Sequence, residues 1–415
     1  MDTFFSLIIR HKKSVLATFL LATAICAVLA LKVPVNYNLV DYLPRDAQST
    51  TAIELIKGEF EGNLPNARVM LTNVSIPEAL DFKEKISSTD GVLSVTWLDD
   101  VVGLDTLRTT PLEFLDTSLV KNYYSDNNAL MTLTIENGKE SIAVNAIYGL
   151  IGENNAASGE AVNIAKTQEM AVSEVLNAMA ILTPILLVIL TISTTSWIEP
   201  LLFLLTIGIA VIINMGTNIM FKNISFITLT VSPVLQLAVS MDYAIFLLHN
   251  FNDYRSSHGP EKAMLLALKR SLPTVAASAA TTVIGFAALI FMRFGIGADL
   301  GLNLVKGVAF SFISVMIFLP SLTLLTYKAI DRTRHARLMP DFKNTGNVLM
   351  KLRIPFLMLA IIILVPCYLA QSNVEFLYGA GNIARASRAG KDTALIEEKF
   401  GEENVLVLLV PKENA

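Results

Sequence analysis

Asp242 and Tyr243 stand side by side in a run of mostly apolar residues, Ser232 to Leu248, in which Asp242 is the sole acid. An ionisable group in the middle of a membrane span costs about 2.5–3.5 kcal/mol on insertion scales, so such groups face a bundle interior or a wet cavity. Protonation removes the charge that makes the group costly, which suits a carboxyl group there to taking up and releasing a proton. A phenol beside it can donate or accept a hydrogen bond. At about 100° per residue, Ser232, Gln236, Ser240 and Tyr243 share one stripe of the helix, and Asp242 stands roughly 100° to one side of Tyr243. On these residues alone two readings stay open. Asp242 is either a proton carrier held within the membrane or a carboxylate that reaches headgroup water near the end of the helix.

Other polar residues in apolar runs have weaker claims. Thr281 and Thr282 could hydrogen-bond across to the Asp242 helix or hold a water chain. They follow a small-residue face, Ala276 to Ala280, and threonines in such faces often bond their own backbone. Lys306 lies near the outer end of the sixth predicted span, where it could be a counter-ion in a cavity, although a lysine so placed more often snorkels to the interface. His11, His249, His258 and His335 are scattered, and neither they nor Cys26 and Cys367 show metal-ligand spacing. No phosphate-binding loop lysine, nucleophile elbow or zinc pair is present. The sequence therefore implies neither an enzyme nor a bound cofactor or metal.

The elements that must position Asp242 are membrane helices. The chain is 53% hydrophobic and 16% charged, with a mean hydropathy of +0.55, whereas soluble domains carry about a quarter charged residues. Spans of about 20 residues absorb that excess. Seven are predicted: Ser14–Leu31, Ala178–Ser193, Leu201–Met220, Ile224–Leu248, Val275–Met292, Leu302–Leu325 and Ile354–Ala370. The first run is too long for the core of a signal peptide and is read as retained. Arg10, Lys12, Lys13, Arg255, Lys262, Lys269, Arg270 and the basic residues from Lys328 to Arg353 then fall on one side, against Lys222 and Arg293 on the other. The positive-inside rule makes the basic side cytoplasmic, with the N-terminus. A net charge of −4 gives no reason to expect nucleic acid.

Between the first two spans the composition turns polar and mixed. Arg68–Leu71, a helix Pro77–Ile86 and Val92–Trp97 form one strand-helix-strand passage. Leu130–Ile135, a helix Lys139–Ile151 and a strand near Ala156–Val162 form another, and two such passages fit a split βαβ, ferredoxin-like layout. Phe60, Trp97, Phe114 and Tyr148 are its large apolar side chains and read as core. A repeat is also visible. Val35-Asn36-Tyr37 recurs as Val374-Glu375-Phe376, and Ile56 to Phe60 is echoed by Ile396 to Phe400, as expected of two parallel halves. A strand is predicted over Asn404–Val410. The amphipathic segment from His258 to Leu268 is expected to lie on the membrane surface.

Asp242-Tyr243 with Phe246-Leu247, the stretch Lys269 to Val275, the run Ala276 to Phe286 and Leu319-Pro320-Ser321-Leu322 together resemble the MMPL branch of the resistance-nodulation-division (RND) superfamily. The resemblance runs along essentially the whole chain. It implies a polytopic α-helical membrane protein with an α+β exoplasmic domain, working as a proton-driven exporter of lipidic or amphiphilic substrates. Asp242 would carry the proton and Tyr243 would be its hydrogen-bonding partner, supported by Ser240, Gln236, Thr281 and Thr282. Relatives pair this span with a matching tenth span, so the resemblance implies a second half that supplies the remaining helices. The chain is accordingly expected to be a partial or split product, with these parts: 1–34 the N-terminus and first span, 35–176 the exoplasmic domain, 177–328 the second to sixth spans, 329–352 a linker, 353–371 the seventh span, and 372–415 the start of a second exoplasmic domain. A non-transporting scaffold or sterol-sensing protein is the alternative, because such proteins share this helical arrangement.

Overall fold

The computed structural model describes residues 2–59, 64–336, 345–371 and 387–401. It separates into a helical unit, residues 1–35, 175–292 and 297–378, and an α/β unit, residues 36–174, 293–296 and 379–415. Val374 to Phe376, Phe60 and the predicted strand Asn404–Val410 lie outside the described residues.

In the α/β unit five strands form one antiparallel sheet. They are β1 (Ala67–Leu71), β2 (Val92–Thr96), β3 (Tyr124–Ser125), β4 (Asn128–Ile135) and β5 (Ala156–Ser158). The order is β2-β4-β1-β5, with β3 added on β4. Register places Val69 opposite Met131 in β4 and opposite Ala157 in β5. Helix α1 (Ile76–Ser87) links β1 to β2, and helix α2 (Glu140–Ile151) links β4 to β5. The backbone N–H of Ser75 donates to Glu78 Oε2 at 2.8 Å, which closes the start of α1.

Side-chain alternation sorts the strands' apolar residues onto two faces. Val69, Leu71, Met131, Leu133 and Ile135 join Ala79 and Ile86 of α1, Val144 and Ile147 of α2, and Trp97 in the main core. Met70, Leu130 and Ala156 point the other way and are covered by Leu395, Ile396 and Phe400. Those three belong to α3 (Arg388–Phe400), a helix that enters the unit from beyond the seventh span. Its Asp392 accepts from the Ala157 backbone N–H at 3.1 Å. Arg388 lies over the Tyr148 ring and hydrogen-bonds the Gly152 carbonyl. Burial, and then the Asp392 carboxylate, push the Tyr148 phenol well above its ordinary range, so this corner keeps a neutral hydroxyl. Ile56, the repeat partner of Ile396, also lies in a helix, Gln48–Glu59.

The aromatic side chains read as core divide. Trp97 is fully buried and Tyr148 nearly so, but Phe114 is 79% exposed. Phe114 sits in a single 3₁₀ turn, Leu112–Phe114, in which Leu112 packs against the core and Phe114 is left on the outside.

Among the described residues seven helices are long and apolar enough to cross a membrane: Lys12–Ala30, Glu160–Ser193, Glu199–Met220, Phe226–Arg255, Pro260–Phe291, Gly295–Arg332 and Leu349–Gln371. Several outrun the predicted spans. The segment expected on the membrane surface is instead the opening of the fifth helix, continuous through Pro273. Ala263, Met264, Ala267 and Leu268 are buried in one cluster with Phe5, Ile8 and Ile9 of a helix Asp2–Arg10, so protein rather than lipid covers that apolar face. In the sixth helix residues Ser314–Phe318 are π-helical, immediately before Leu319-Pro320. A proline has no N–H for the ladder, and a local widening accommodates its ring.

The first and third spans approach closely at Gly216, where an added Cβ would overlap the Cys26 backbone. Small residues permit this proximity in membranes. Gly216→Val is therefore expected to cost about 3 kcal/mol or more, because backbone cannot yield as a flexible side chain does. A melting temperature of the detergent-solubilised protein equal to that of the parent would contradict it.

Candidate functional site

The fourth span (Phe226–Arg255) opens on Ser225, whose Oγ accepts from the Thr228 N–H at 3.0 Å. Asp299 of the sixth span completes this helix start: its Oδ2 accepts from the Ser225 N–H at 2.7 Å and from Thr228 Oγ1 at 2.6 Å. A carboxylate at a helix N-terminus is favourable for both charge and hydrogen bonding. At the far end Arg255 makes a two-pronged pair with Asp331 of the sixth span, at 2.9 and 2.6 Å. The fourth span is thus tied to the sixth at both ends.

Between these ties the helix has two unlike faces. Ser232, Gln236, Ser240 and Tyr243, the stripe expected from sequence, are all buried to 2% exposure or less. Asp242 lies on the exposed face, followed toward Arg255 by His249 and Asp253, which stand 3.6 Å apart. The adjacent fifth span exposes the small residues Ala277, Ser278, Ala280, Thr281 and Gly285 beside the larger Ile284. The Tyr243 hydroxyl is buried and faces the Thr282 and Ser278 hydroxyls of the fifth span without reaching normal hydrogen-bond geometry, and Asp242 lies within electrostatic reach. Thr281 and Thr282 both donate to the Ser278 carbonyl of their own helix, at 2.8 and 3.0 Å, so neither hydroxyl donates across to the fourth span.

The buried stripe leads into a polar cluster that sequence reasoning did not assemble. Gln236 Nε2 donates to the Gly307 carbonyl at 2.9 Å and to Ser311 Oγ at 3.1 Å, and its Oε1 accepts from Asn214 Nδ2 at 2.9 Å. Asn214 Nδ2 also reaches Asn303 Oδ1 at 3.1 Å, and Ser232 Oγ donates to that oxygen at 2.6 Å. Asn303 Nδ2 and Lys306 Nζ both donate to Asn218 Oδ1, each at 2.5 Å. Gly307 makes room for this bonding, since a Cβ there would stand 2.7 Å from Asn214 Nδ2.

Lys306 does not follow its expected course to the interface. Its ammonium turns inward to Asn218 and to the Asn214 carbonyl at 3.1 Å, with the Phe221 ring 5.0 Å away. The signal available in the sequence was the i, i+4 pair Asn214 and Asn218 in the third span. It faces Asn303 and Lys306, spaced i, i+3, in the sixth.

Seven apolar helices, with an acid and a buried polar cluster among them, define a multi-pass membrane protein whose helical unit is built around more than lipid anchoring. The MMPL family matches residues 139–345, and the chain is an MMPL-type member of the RND superfamily. Among curated proteins it is similar to the sulfolipid-1 exporter MmpL8 of Mycobacterium tuberculosis, 32% identical over 155 residues, which is 35% of this chain and 14% of that protein. It is also similar to a Mycobacterium leprae protein named "Probable transport protein MmpL10", 28% identical over 143 residues, 33% of this chain and 14% of that one. The matched stretch thus spans about one seventh of the length of these relatives.

Proposed function

We propose that this chain forms part of a proton-driven secondary exporter of lipidic or amphiphilic substrates, in which Asp242 carries the proton and Tyr243 is its hydrogen-bonding partner. The observation that carries the reading is Asp242 on the exposed face of the fourth span, one residue from a buried phenol that makes no hydrogen bond of normal geometry. A carboxylate turned toward hydrocarbon would cost about 2.5–3.5 kcal/mol. A second set of helices covering that face removes the cost and can bring its own polar groups to Asp242. The small side chains exposed on the fifth span favour such close helix contact. One charge crossing 100 mV releases about 2.3 kcal/mol, enough to bias two bundle conformations that differ by a few kcal/mol.

The α/β unit fits the ferredoxin-like layout, on the strength of its β-α-β-β-α-β order and antiparallel β2-β4-β1-β5 sheet. The same reading places the protein in the cell membrane, with the N-terminus and the Arg255 end of the fourth span cytoplasmic and residues 35–176 outside. The similarity to a protein named as a sulfolipid exporter supports a lipidic substrate.

The test is export of lipid-extractable material by cells bearing the whole protein, with and without a protonophore. Export should stop when the proton gradient collapses while ATP is maintained. Undiminished export under those conditions would rule out proton drive.

A further inference from the structure

Among the described residues of the helical unit six polar side-chain atoms are buried with no hydrogen bond of normal geometry, and four of them lie on the third and fourth spans: Asn218 Nδ2, Asn214 Oδ1, Ser240 Oγ and Tyr243 Oη. Their residues are each 2% exposed or less. Leaving a buried polar group unsatisfied costs about 1–3 kcal/mol, so four in one bundle form an expensive arrangement unless something else bonds them. Helix-to-helix adhesion alone does not account for them, because adhesive polar contacts satisfy their own atoms. Bound water does, at roughly three hydrogen bonds for each molecule.

The placement of these atoms is ordered. Asn214 and Asn218 lie one turn apart on the third span, and Asn214 is bonded to Gln236 on the fourth. Ser240 is one turn beyond Gln236, and Tyr243 nearly one turn beyond Ser240. Side chains one helical turn apart are separated by about 5–6 Å, too far for a direct hydrogen bond and suited to one bridging water. At the other end Lys306 uses two of its three N–H donors on Asn218 and Asn214, which leaves one for water.

We propose that the buried column from Lys306 and Asn218 through Asn214, Gln236 and Ser240 to Tyr243 is a water-bearing proton path inside this half of the bundle, delivering to Asp242. Each water accepts one proton and releases another to the next, so the proton gained by Asp242 is balanced by one taken up at the Lys306 end. The amide side chains hold the waters in place and the hydroxyls of Ser240 and Tyr243 pass the proton on. The path begins among the third, fourth and sixth spans and meets the fifth at Tyr243, whose hydroxyl faces Ser278 and Thr282. It rests on the reading of Asp242 as proton carrier, and the two can fail separately.

The probe is silver ion, which is small enough to follow water and reacts with thiols. In the full-length protein with Cys26→Ala and Cys367→Ala, Ser240→Cys is exposed to silver in membrane vesicles. Surviving thiols are then counted with a maleimide after denaturation. Ser240→Cys should react roughly tenfold faster than Leu237→Cys, whose position is buried among Leu186 and Ile207 and is reached only by local opening. Adding Gln236→Leu should slow the Ser240→Cys reaction to that of Leu237→Cys. Ser232→Cys serves as the second probe if Ser240→Cys does not insert. Equal rates at the two positions, or indifference to Gln236→Leu, would overturn the column. Asp242→Asn should leave the silver reaction unchanged, so retained proton-coupled export in that variant would overturn the carrier role even where silver reaches Ser240→Cys.

Discussion

Asp242→Asn will abolish proton-coupled export in the whole protein while leaving it inserted and folded. Asparagine matches aspartate in shape, cannot ionise, and lowers the cost of placing the side chain in the membrane. Asp242 makes no hydrogen bond or ion pair that holds the described helical unit together, because the fourth span is secured by Asp299 at one end and Asp331 at the other. The loss should therefore appear in transport, by roughly a hundredfold or more, the scale expected when a group that must take and give a proton is removed. Tyr243→Phe should act more mildly, by about tenfold, since it removes one hydrogen-bonding partner from the carrier. Proton uptake into proteoliposomes under an imposed gradient, normalised to inserted protein, reads both variants. Asp242→Asn transporting at the parental rate would remove Asp242 from the mechanism.

Much of this site was legible because membrane spans make polar residues conspicuous. The stripe Ser232, Gln236, Ser240 and Tyr243 follows from helical periodicity alone, and the same arithmetic sets Asp242 on a different face. What periodicity cannot supply is pairing between helices. Lys306 looked like a snorkelling lysine because its partners, Asn214 and Asn218, lie nearly 90 residues away on another span. Thr281 and Thr282 were legible only as alternatives, because a threonine in a helix always has its own backbone carbonyls within reach. The continuous helix from Pro260 to Ala288 exposes a further limit. A proline at 273 and an amphipathic start look like a break, yet burial against Phe5, Ile8 and Ile9 overrides that local signal. In the α/β unit the longer strands and the two helices that link them were readable from alternation and turn residues. The strand expected near Ala156–Val162, however, ends at Ser158 and Glu160 already opens the helix of the second span, while the helices between β2 and β3 were not foreseen. Nor was the covering of Met70 and Leu130 by Ile396, since it joins segments more than 260 residues apart in the chain.

The same distinction between local type and tertiary surroundings sets the second large effect, at Trp97. Phe114 and Trp97 are both large aromatic residues in a polar stretch and both read as core, although only Trp97 closes a predicted strand. In the fold Trp97 is fully buried. Its Nε1 donates to the Tyr123 carbonyl at 3.0 Å, and its ring meets Tyr124 edge-on at 6.4 Å. Its backbone N–H donates to Asp100 Oδ2 at 2.9 Å, which anchors the turn after β2. Trp97→Ala should cost about 3–5 kcal/mol, the sum of lost burial and the cavity left behind. Trp97→Phe keeps most of the volume but strands the Tyr123 carbonyl, for about 1–3 kcal/mol. Phe114→Ala, at an exposed turn, should stay within about 0.5 kcal/mol of the parent. Protease resistance of the 36–174 region against temperature, measured in the full-length protein, ranks the three. If Phe114→Ala proves as damaging as Trp97→Ala, the burial that separates these two side chains is not what stabilises the unit.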